Sequence, residues 1–461
     1  MSIQIPQEVL PILGTIFQVF KNWWWVLPIF FLWRPFLFIW RWSRMEKYDA
    51  AVKKVLLEVR MPKEVIKPVK GMDVVFAGLH AIHDVFTWRE KWLEGQFQLN
   101  YSFEIVSLGG EVHFYIRTAE AFRHIVESNI YSQYPEAEIF EVPDYVKAVP
   151  QDIPNKEWDL FGMDMINTKP SAYPIKTYLK FEEETQAKEE KRVDPLAGFL
   201  EGLATLKPGE QLWLQIIAKP IRDEIPWKDE ALKIRDEIVG RKKPEEDSFL
   251  SFLLKGLGSV ITGVPPGYEE KKEFEQESET RLGVRTTKTT GKTTIALKKE
   301  DKGPGVIPIE MKLTPGEREI VFALEQKISK FAYDCNMRYI YLGKKDAFFK
   351  PMARTPYGFF KSISSENMGG FKPDKHSITK MKSPFFWPLD SRRVYLRKRH
   401  LFRYYCRRMT PKFPRPGGTY VLNTEELATL FHFPGRTVAP APSVPRIETK
   451  KGEAPTNLPT E

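Results

Sequence analysis

A hydrophobic, tryptophan-rich stretch near the start of the chain, residues 23–42, restricts the fold more than any other part of the sequence. Arg34 is the only charged residue between Trp23 and Trp40. As an α-helix these residues would extend ~30 Å, the hydrocarbon thickness of a bilayer. Tryptophans at both ends are typical of membrane interfaces. The sequence therefore predicts an N-terminal transmembrane helix, and the alternative is a buried helix of a soluble protein.

The basic residues on either side of this stretch predict its orientation. Lys21 is the only one before it, whereas five lie at or just after its end: Arg41, Arg44, Lys47, Lys53 and Lys54. Because basic segments stay on the cytoplasmic side, we expect a single-pass plasma-membrane protein with most of the chain in the cytoplasm. Residues 9–20 form a further apolar run, too short to span a membrane alone. The sequence leaves open whether this run belongs to a second membrane segment.

Length and composition set the size of the folded part. A chain of 461 residues with 42% hydrophobic residues has room for two or three domains beside the membrane helix. Cys335 and Cys406 are the only cysteines, and they form neither a disulfide framework nor a zinc-binding pair. Two isolated cysteines are typical of a reducing compartment.

Local patterns in the first half of the chain predict an α+β domain. Residues 97–107 and 111–117 alternate apolar and polar side chains around Gly109-Gly110, which is the pattern of a β-hairpin. Residues 119–129 follow with helical spacing, and residues 137–142 have the composition of a strand. A hairpin, a helix and a strand in this order form half of a ferredoxin-like α/β sandwich.

Changes in composition divide the chain into five parts. We expect a membrane anchor at residues 1–45, a first α+β domain at 46–240 and a second at 306–435, which carries a basic helix. Residues 241–305 are too rich in charged residues and threonine to bury a core, so we expect a flexible linker there. Residues 436–461 form a proline-rich tail. The predicted fold class is thus a transmembrane helix followed by two cytoplasmic ferredoxin-like sandwich domains.

No stretch carries a complete catalytic or metal-binding motif. Gly291-Lys292-Thr293 resembles the end of a phosphate-binding loop, but position 286 is threonine where that loop has glycine. His80 and His83, with Asp84 beside them, lack further ligands at a defined spacing. We therefore predict no catalytic residue, no metal and no cofactor. An enzyme of unrecognised class, such as a hydrolase or a degenerate ATPase, is the alternative.

The strongest functional signal is a basic stretch near the C-terminus. Residues 371–415 contain 14 lysines and arginines against Asp374 and Asp390, a balance of +12 that exceeds the +10 of the whole chain. Aromatic residues lie between the cations, as in proteins that bind single-stranded nucleic acid. The alternatives are an anionic membrane surface and an acidic protein partner. The candidate contact residues are Arg392, Arg393, Arg397, Lys398, Arg399, Arg403, Arg407 and Arg408.

Several sequence blocks resemble a known but uncharacterised family. SFEIVSLGGEVHFYIRT, VESNIYSQYPEAEIFEVPDYV, RVDPLAGFLEGLATLKPGEQLWLQI and YVLNTEELATLFHFPG are similar to membrane-anchored proteins of bacteria in the candidate phyla radiation. That family resembles the region before the motor in type IV secretion or conjugative-transfer ATPases of the FtsK/HerA kind. The resemblance covers about residues 22–240 and 306–460, and it implies a place in the bacterial inner membrane.

The resemblance also implies a partner. Since this sequence has no motor motif, we expect a separately encoded FtsK/HerA-type P-loop ATPase. The basic stretch makes single-stranded DNA a further candidate partner, and we also expect a homo-oligomer. The function implied is a non-catalytic component of a DNA-transfer or secretion machine, and the alternative is a scaffold unrelated to transport. Two sequence blocks supply the candidate docking residues, which are Tyr131, Tyr134, Pro135, Glu136, Leu422, Glu425, Phe431 and Phe433.

Overall fold

Strands rich in β-branched and aromatic residues run through both halves of the chain, as sheet formation favours. The computed structural model describes residues 18, 21–22, 26–62, 69–185, 194–222, 225–240, 313–380, 387–410 and 418–434. Its strands are β1 (Lys54–Arg60), β2 (Tyr101–Leu108), β3 (Glu111–Ala119), β4 (Glu138–Glu141), β5 (Trp158–Asn167), β6 (Glu210–Ile221), β7 (Ala332–Lys344), β8 (Phe371–Pro373) and β9 (Tyr420–Asn423).

The helices fall between these strands. They are α1 (Val26–Ala51), α2 (Lys70–Leu79), α3 (Arg123–Gln133), α4 (Tyr178–Thr185), α5 (Ala197–Ala204), α6 (Trp227–Val239), α7 (Pro315–Ser329), α8 (Thr355–Ser362), α9 (Asp390–Arg407) and α10 (Thr424–Leu430). The predicted hairpin forms as β2 and β3, with Gly109 and Gly110 at positive φ in the turn. The predicted helix and strand after it form as α3 and β4.

The nine described strands pair antiparallel in one sheet. Their order is β4-β1-β3-β2-β6-β7-β5-β8, and β9 pairs with the start of β7. The central β6–β7 pair runs from Glu210 opposite Gly343 to Ile221 opposite Ala332. These two strands lie more than a hundred positions apart in sequence, and they come from the two halves that sequence patterns assigned to separate domains. The predicted pair of ferredoxin-like sandwiches is therefore wrong, because both halves build one sheet.

Side chains alternate between the two faces of this sheet. On β6, Leu212 and Leu214 belong to the larger apolar cluster, and Trp213 between them belongs to the smaller one. Helices α2, α3, α5, α8 and α10 contribute to the larger cluster, whereas α9 contributes Leu401 to the smaller one. The basic helix therefore packs on the face opposite to those five helices.

A close approach between α9 and β5 depends on Gly162. A Cβ atom at this position would lie 2.5 Å from the carbonyl oxygen of Tyr339 and 2.9 Å from a methyl group of Leu401. Gly162→Ala should therefore lower the free energy of unfolding by about 1–3 kcal/mol, as overpacking does, which urea denaturation would measure. Gly358→Ala is the matched control, because its Cβ would meet nothing within 4 Å. Equal effects of the two changes would contradict the packing argument.

The predicted transmembrane helix and the predicted single-pass membrane location are wrong. Helix α1 covers most of the hydrophobic stretch, but no helix among the described residues has the length and apolar character that crossing a membrane requires. Arg34 and Pro35 interrupt its apolar run, and the helix continues beyond Arg41 into polar sequence. Residues 23–25 and nearly all of residues 9–20 lie outside the described part of the chain.

The chain divides into two compact units, residues 1–231 with 322–461 and residues 232–321. The first unit contains the sheet. In the second unit, Thr314 caps the start of α7 through reciprocal hydrogen bonds with Glu317, a capping box. The predicted linker at 241–305 and the predicted tail at 436–461 lie outside the described residues.

Candidate nucleic-acid interface

Helix α9 has one apolar face and one basic face. Leu401, Phe402 and Tyr405 are buried against the sheet, where the ring centroid of Tyr405 lies 5.3 Å from that of Trp213, with the two rings tilted by 40°. Apolar residues three or four positions apart make such a stripe in an amphipathic helix. The other side chains of α9, seven of which are arginine or lysine, are exposed or half-buried.

The structure separates the eight candidate contact residues into three groups. Arg392, Arg403 and Arg407 are exposed, and no carboxylate in the described part of the chain lies within ion-pair distance of them. Arg393, Arg397, Lys398 and Arg399 are half-buried, and Arg408 is buried. The exposed and the half-buried residues therefore make the basic surface, and Arg408 does not belong to it.

Three of the half-buried cations have identified contacts. Lys398 forms an ion pair with Asp159. One guanidinium nitrogen of Arg397 donates a hydrogen bond to the carbonyl oxygen of Ile378 at 3.2 Å, and Arg399 donates one to the hydroxyl of Tyr395 at 2.8 Å. Of these three, only Lys398 forms an ion pair with a carboxylate in the described part of the chain.

A cavity of about 820 Å³ lies beside the exposed face of α9. Its walls combine cations, aromatic rings and polar groups: Asp164, His376, Ser377, Tyr395, Leu396, Arg397, Arg399, His400, Leu401, Arg403 and Tyr404. This volume is typical of a site for a small organic ligand. Arginines beside tyrosine rings form a chemistry that suits an anionic group joined to a flat ring system.

Asp164 brings one acidic group to this cavity. Its Oδ1 atom lies 3.2 Å from Nε of the buried Arg338, although neither atom has a hydrogen-bond partner. Burial raises the pKa of Asp164, and the positive charge of Arg338 opposes this effect. Asp164 lines the cavity, and 20% of its side chain is exposed.

His400 also lines the cavity. The centroid of its ring lies 4.3 Å from that of Tyr404, with the two rings tilted by 41°. Burial lowers the pKa of His400, the charge of Asp164 opposes this, and Arg338 and Arg403 lower it further. Because the ordinary pKa of histidine is already below 7, His400 is neutral at pH 7 and can both donate and accept a hydrogen bond.

Arg408 belongs to a buried ionic network instead of the basic surface. It adopts the left-handed conformation at the end of α9, with φ of 50°, and its Nε donates to Glu104 Oε1 at 2.9 Å. A second nitrogen donates to Asp144 Oδ1 at 2.8 Å. Burial raises the pKa of Glu104, but the charge of Arg408 outweighs it and holds that pKa below its ordinary value. We therefore place Arg408 in the core.

The candidate docking residues do not form one surface. Tyr131, Pro135 and Glu136 are exposed at the end of α3 and just after it. The other five are buried: Tyr134, Leu422, Glu425, Phe431 and Phe433. The two phenylalanines pack against Phe114 in the larger apolar cluster. Docking of an ATPase stays a prediction, and among these candidates only the exposed three could contact a partner without rearrangement of the core.

Sequence patterns missed Asp164, His376 and Ser377 in the cavity wall. Asp164 is one of three polar residues in the mostly apolar strand β5, and the other two lie in a loop with no motif. Only the fold brings these three positions to α9. Among the described residues, no three histidine, cysteine or acidic side chains form a group that could hold a metal ion. The predictions on catalysis and cofactors stay predictions.

Comparison with known proteins adds no relative. No protein-family model matches the chain, and no curated protein matches it. The resemblance to membrane-anchored proteins of secretion systems therefore stays a prediction, and the function must be argued from the geometry of α9 and its cavity.

Proposed function

We propose that this protein is a non-catalytic component that binds single-stranded nucleic acid along the exposed face of α9. The observation that carries the proposal is the set of three arginines, Arg392, Arg403 and Arg407, which have no acidic partner in the described part of the chain. One of them, Arg403, lines the cavity that Tyr395 and Tyr404 also line. A separate translocating ATPase, as the sequence resemblance implies, would supply the motor.

The spacing of these arginines suits a phosphate backbone. Arg392, Leu396, Arg399, Arg403 and Arg407 follow one another at intervals of three or four residues, so the four arginines lie on one stripe of the helix. From Arg392 to Arg407 this stripe is ~22 Å long. Cations spaced along such a line can each neutralise a phosphate and release its counterion, which makes binding dependent on salt.

Aromatic side chains in the same region favour a single strand over a duplex. Tyr395 is 40% exposed, and Tyr404 lines the cavity. Unpaired bases can stack on such rings, whereas the bases of a duplex already stack on one another. We therefore expect tighter binding to single-stranded than to double-stranded DNA of equal length.

The triple change Arg392→Ser, Arg403→Ser and Arg407→Ser tests this proposal. Each arginine that contacts a phosphate contributes about 0.7 to the slope of log affinity against log salt for a single strand. The triple variant should therefore lower the magnitude of that slope by about 2, and it should weaken binding at low salt. Fluorescence anisotropy of a labelled oligonucleotide across a range of salt concentrations measures both quantities.

A second triple variant with the same change of net charge is the control. Lys70, Lys207 and Lys361 are exposed; Lys70 and Lys361 belong to α2 and α8, which pack on the opposite face of the sheet, and Lys207 follows α5. Changing all three to serine should leave the salt slope equal, within experimental error, to that of the unchanged protein. Equal slopes for the two triple variants would mean that α9 is not the binding surface.

A further inference from the structure

We propose that the cavity beside α9 holds one unstacked nucleotide of the bound strand and favours nucleobases with an exocyclic amino group, which donates a hydrogen bond to Asp164. This inference rests on the proposed function, and it adds the selectivity of the same site. It follows from the mixed charge of the cavity, whose volume is about 820 Å³.

The cavity lining combines groups of opposite chemistry. Arg397, Arg399 and Arg403 line the cavity, and guanidinium groups only donate hydrogen bonds. Asp164 lines it too, and an ionised carboxylate only accepts them. A nucleotide satisfies both kinds of group, because its phosphate is anionic and an amino group on its base is a donor.

Aromatic rings line the same cavity. Tyr404 and His400 contact each other with their rings tilted by 41°, and the Tyr395 hydroxyl accepts a hydrogen bond from Arg399. Bases taken out of a stack are commonly held by such rings and recognised through hydrogen bonds to their edges. The geometry therefore supplies a cation for the phosphate, a ring for stacking and an acceptor for the base edge.

Cytosine and thymine are a matched pair of bases for testing the acceptor. Both are pyrimidines of similar size, but cytosine carries an amino group where thymine carries a carbonyl oxygen. The amino group can donate to Asp164, whereas the carbonyl oxygen would be repelled by it. We therefore expect the protein to bind an oligomer of deoxycytidine about tenfold more tightly than the corresponding oligomer of deoxythymidine at pH 7.5.

The experiment measures dissociation constants for oligonucleotides of about twelve residues by anisotropy, with the full chain and its Asp164→Asn variant. The asparagine amide can donate to the thymine carbonyl, so this variant should lose the preference for cytosine. Its salt slope should match that of the unchanged protein, because the phosphate contacts remain. Thermal unfolding of both proteins checks that the variant is folded.

A modified oligonucleotide tests the same contact without any change to the protein. N4,N4-dimethylcytosine keeps the ring but has no N–H to donate, so substituting it throughout should abolish the preference over thymine. The inference is overturned if the cytosine and thymine oligomers bind with equal affinity, or if the cytosine and dimethylcytosine oligomers do. Either result leaves the proposed function standing. If none of these oligonucleotides shows salt-dependent binding, both the inference and the proposed function are overturned.

Discussion

Arg408→Ala is expected to lower the free energy of unfolding by about 3–5 kcal/mol, although this arginine belongs to a stretch that looks like a uniform basic surface. The change would leave Glu104 as a fully buried carboxylate without its cation, and removing one partner of a buried ion pair has a cost of this size. The Arg408 guanidinium donates to both oxygens of Glu104, at 2.9 and 3.1 Å. The hydroxyl of Tyr145 also donates to Glu104, at 2.7 Å.

The neighbouring residue supplies the control for this prediction. Arg407 has the same chemistry, but it is exposed, and exposed substitutions usually change stability by less than about 0.5 kcal/mol. Urea denaturation should therefore give a much larger loss in the free energy of unfolding for Arg408→Ala than for Arg407→Ala. If Arg408→Ala lost no more stability than Arg407→Ala, the buried network would not hold the fold together.

The same network predicts how stability depends on pH. Burial raises the pKa of Glu104 and of Asp144, but Arg408 holds both below their ordinary values of 4.5 and 3.8. A carboxylate with a lowered pKa in the folded state stabilises the fold above its ordinary pKa and loses that effect as pH falls through the folded value. Stability of the unchanged protein should thus fall below about pH 4, and Arg408→Ala should show a shallower fall.

Local patterns in the sequence predicted local structure well. The β2–β3 hairpin follows from alternation around Gly109-Gly110, and the basic helix α9 follows from its charges and its apolar spacing. Both depend on residues that are neighbours in the chain. Signals of this kind do not require knowledge of which other segments will pack nearby.

Long-range contacts were beyond the reach of these patterns. The pairing of β6 with β7 joins strands separated by more than a hundred residues, so no local signal distinguishes one sheet from two. Arg407 and Arg408 are adjacent residues of the same type. Only the structure at the end of α9 shows that Arg408 is the buried one. The cavity likewise needs Asp164, Ser377 and His400 from three separate segments.

The hydrophobic stretch shows a different kind of error. Its composition resembles a membrane span, but in the structure a proline and arginines lie within the helix that contains it. Counting apolar residues gave too little weight to these interruptions. The candidate docking block, 422–433, also differs from what composition suggests, because glutamates are usually exposed and here Glu425 and Glu426 are buried.

Glu426→Leu is expected to lower the free energy of unfolding by about 3–5 kcal/mol, because it would leave a buried lysine without its partner. Nζ of Lys327 lies 3.0 Å from the Glu426 carboxylate, and both side chains are almost completely buried. The same carboxylate accepts hydrogen bonds from the backbone N–H groups of Ile175 and Asn423, each at 2.9 Å. These donors would also lose their acceptor, and an unsatisfied buried donor is destabilising.

The adjacent Glu425→Ala is the matched control for this change. Glu425 pairs with Lys330 at 2.9 Å, but Lys330 has a second carboxylate partner in Asp73 at 2.6 Å. Lys330 would therefore keep one ion pair, and we expect a smaller loss of about 1–2 kcal/mol. Chemical denaturation of the two variants measures the difference.

A double variant separates the buried charge from the hydrogen bonds. Lys327→Met in the Glu426→Leu background removes the unpaired lysine, and apolar replacements of a buried ion pair are often neutral or stabilising. The double variant should therefore regain most of the stability lost by Glu426→Leu. The half of the capping box in which Glu426 accepts from the Asn423 N–H stays lost, whereas the Asn423 side chain still caps the backbone N–H of residue 426. If it regained nothing, the cost would come from the backbone donors alone.

The double variant also bears on the 422–433 block. If Glu426→Leu loses several kcal/mol and the double variant recovers this loss, the block belongs to the core of the fold. Tyr131, Pro135 and Glu136 would then remain as the predicted positions at which a partner could dock.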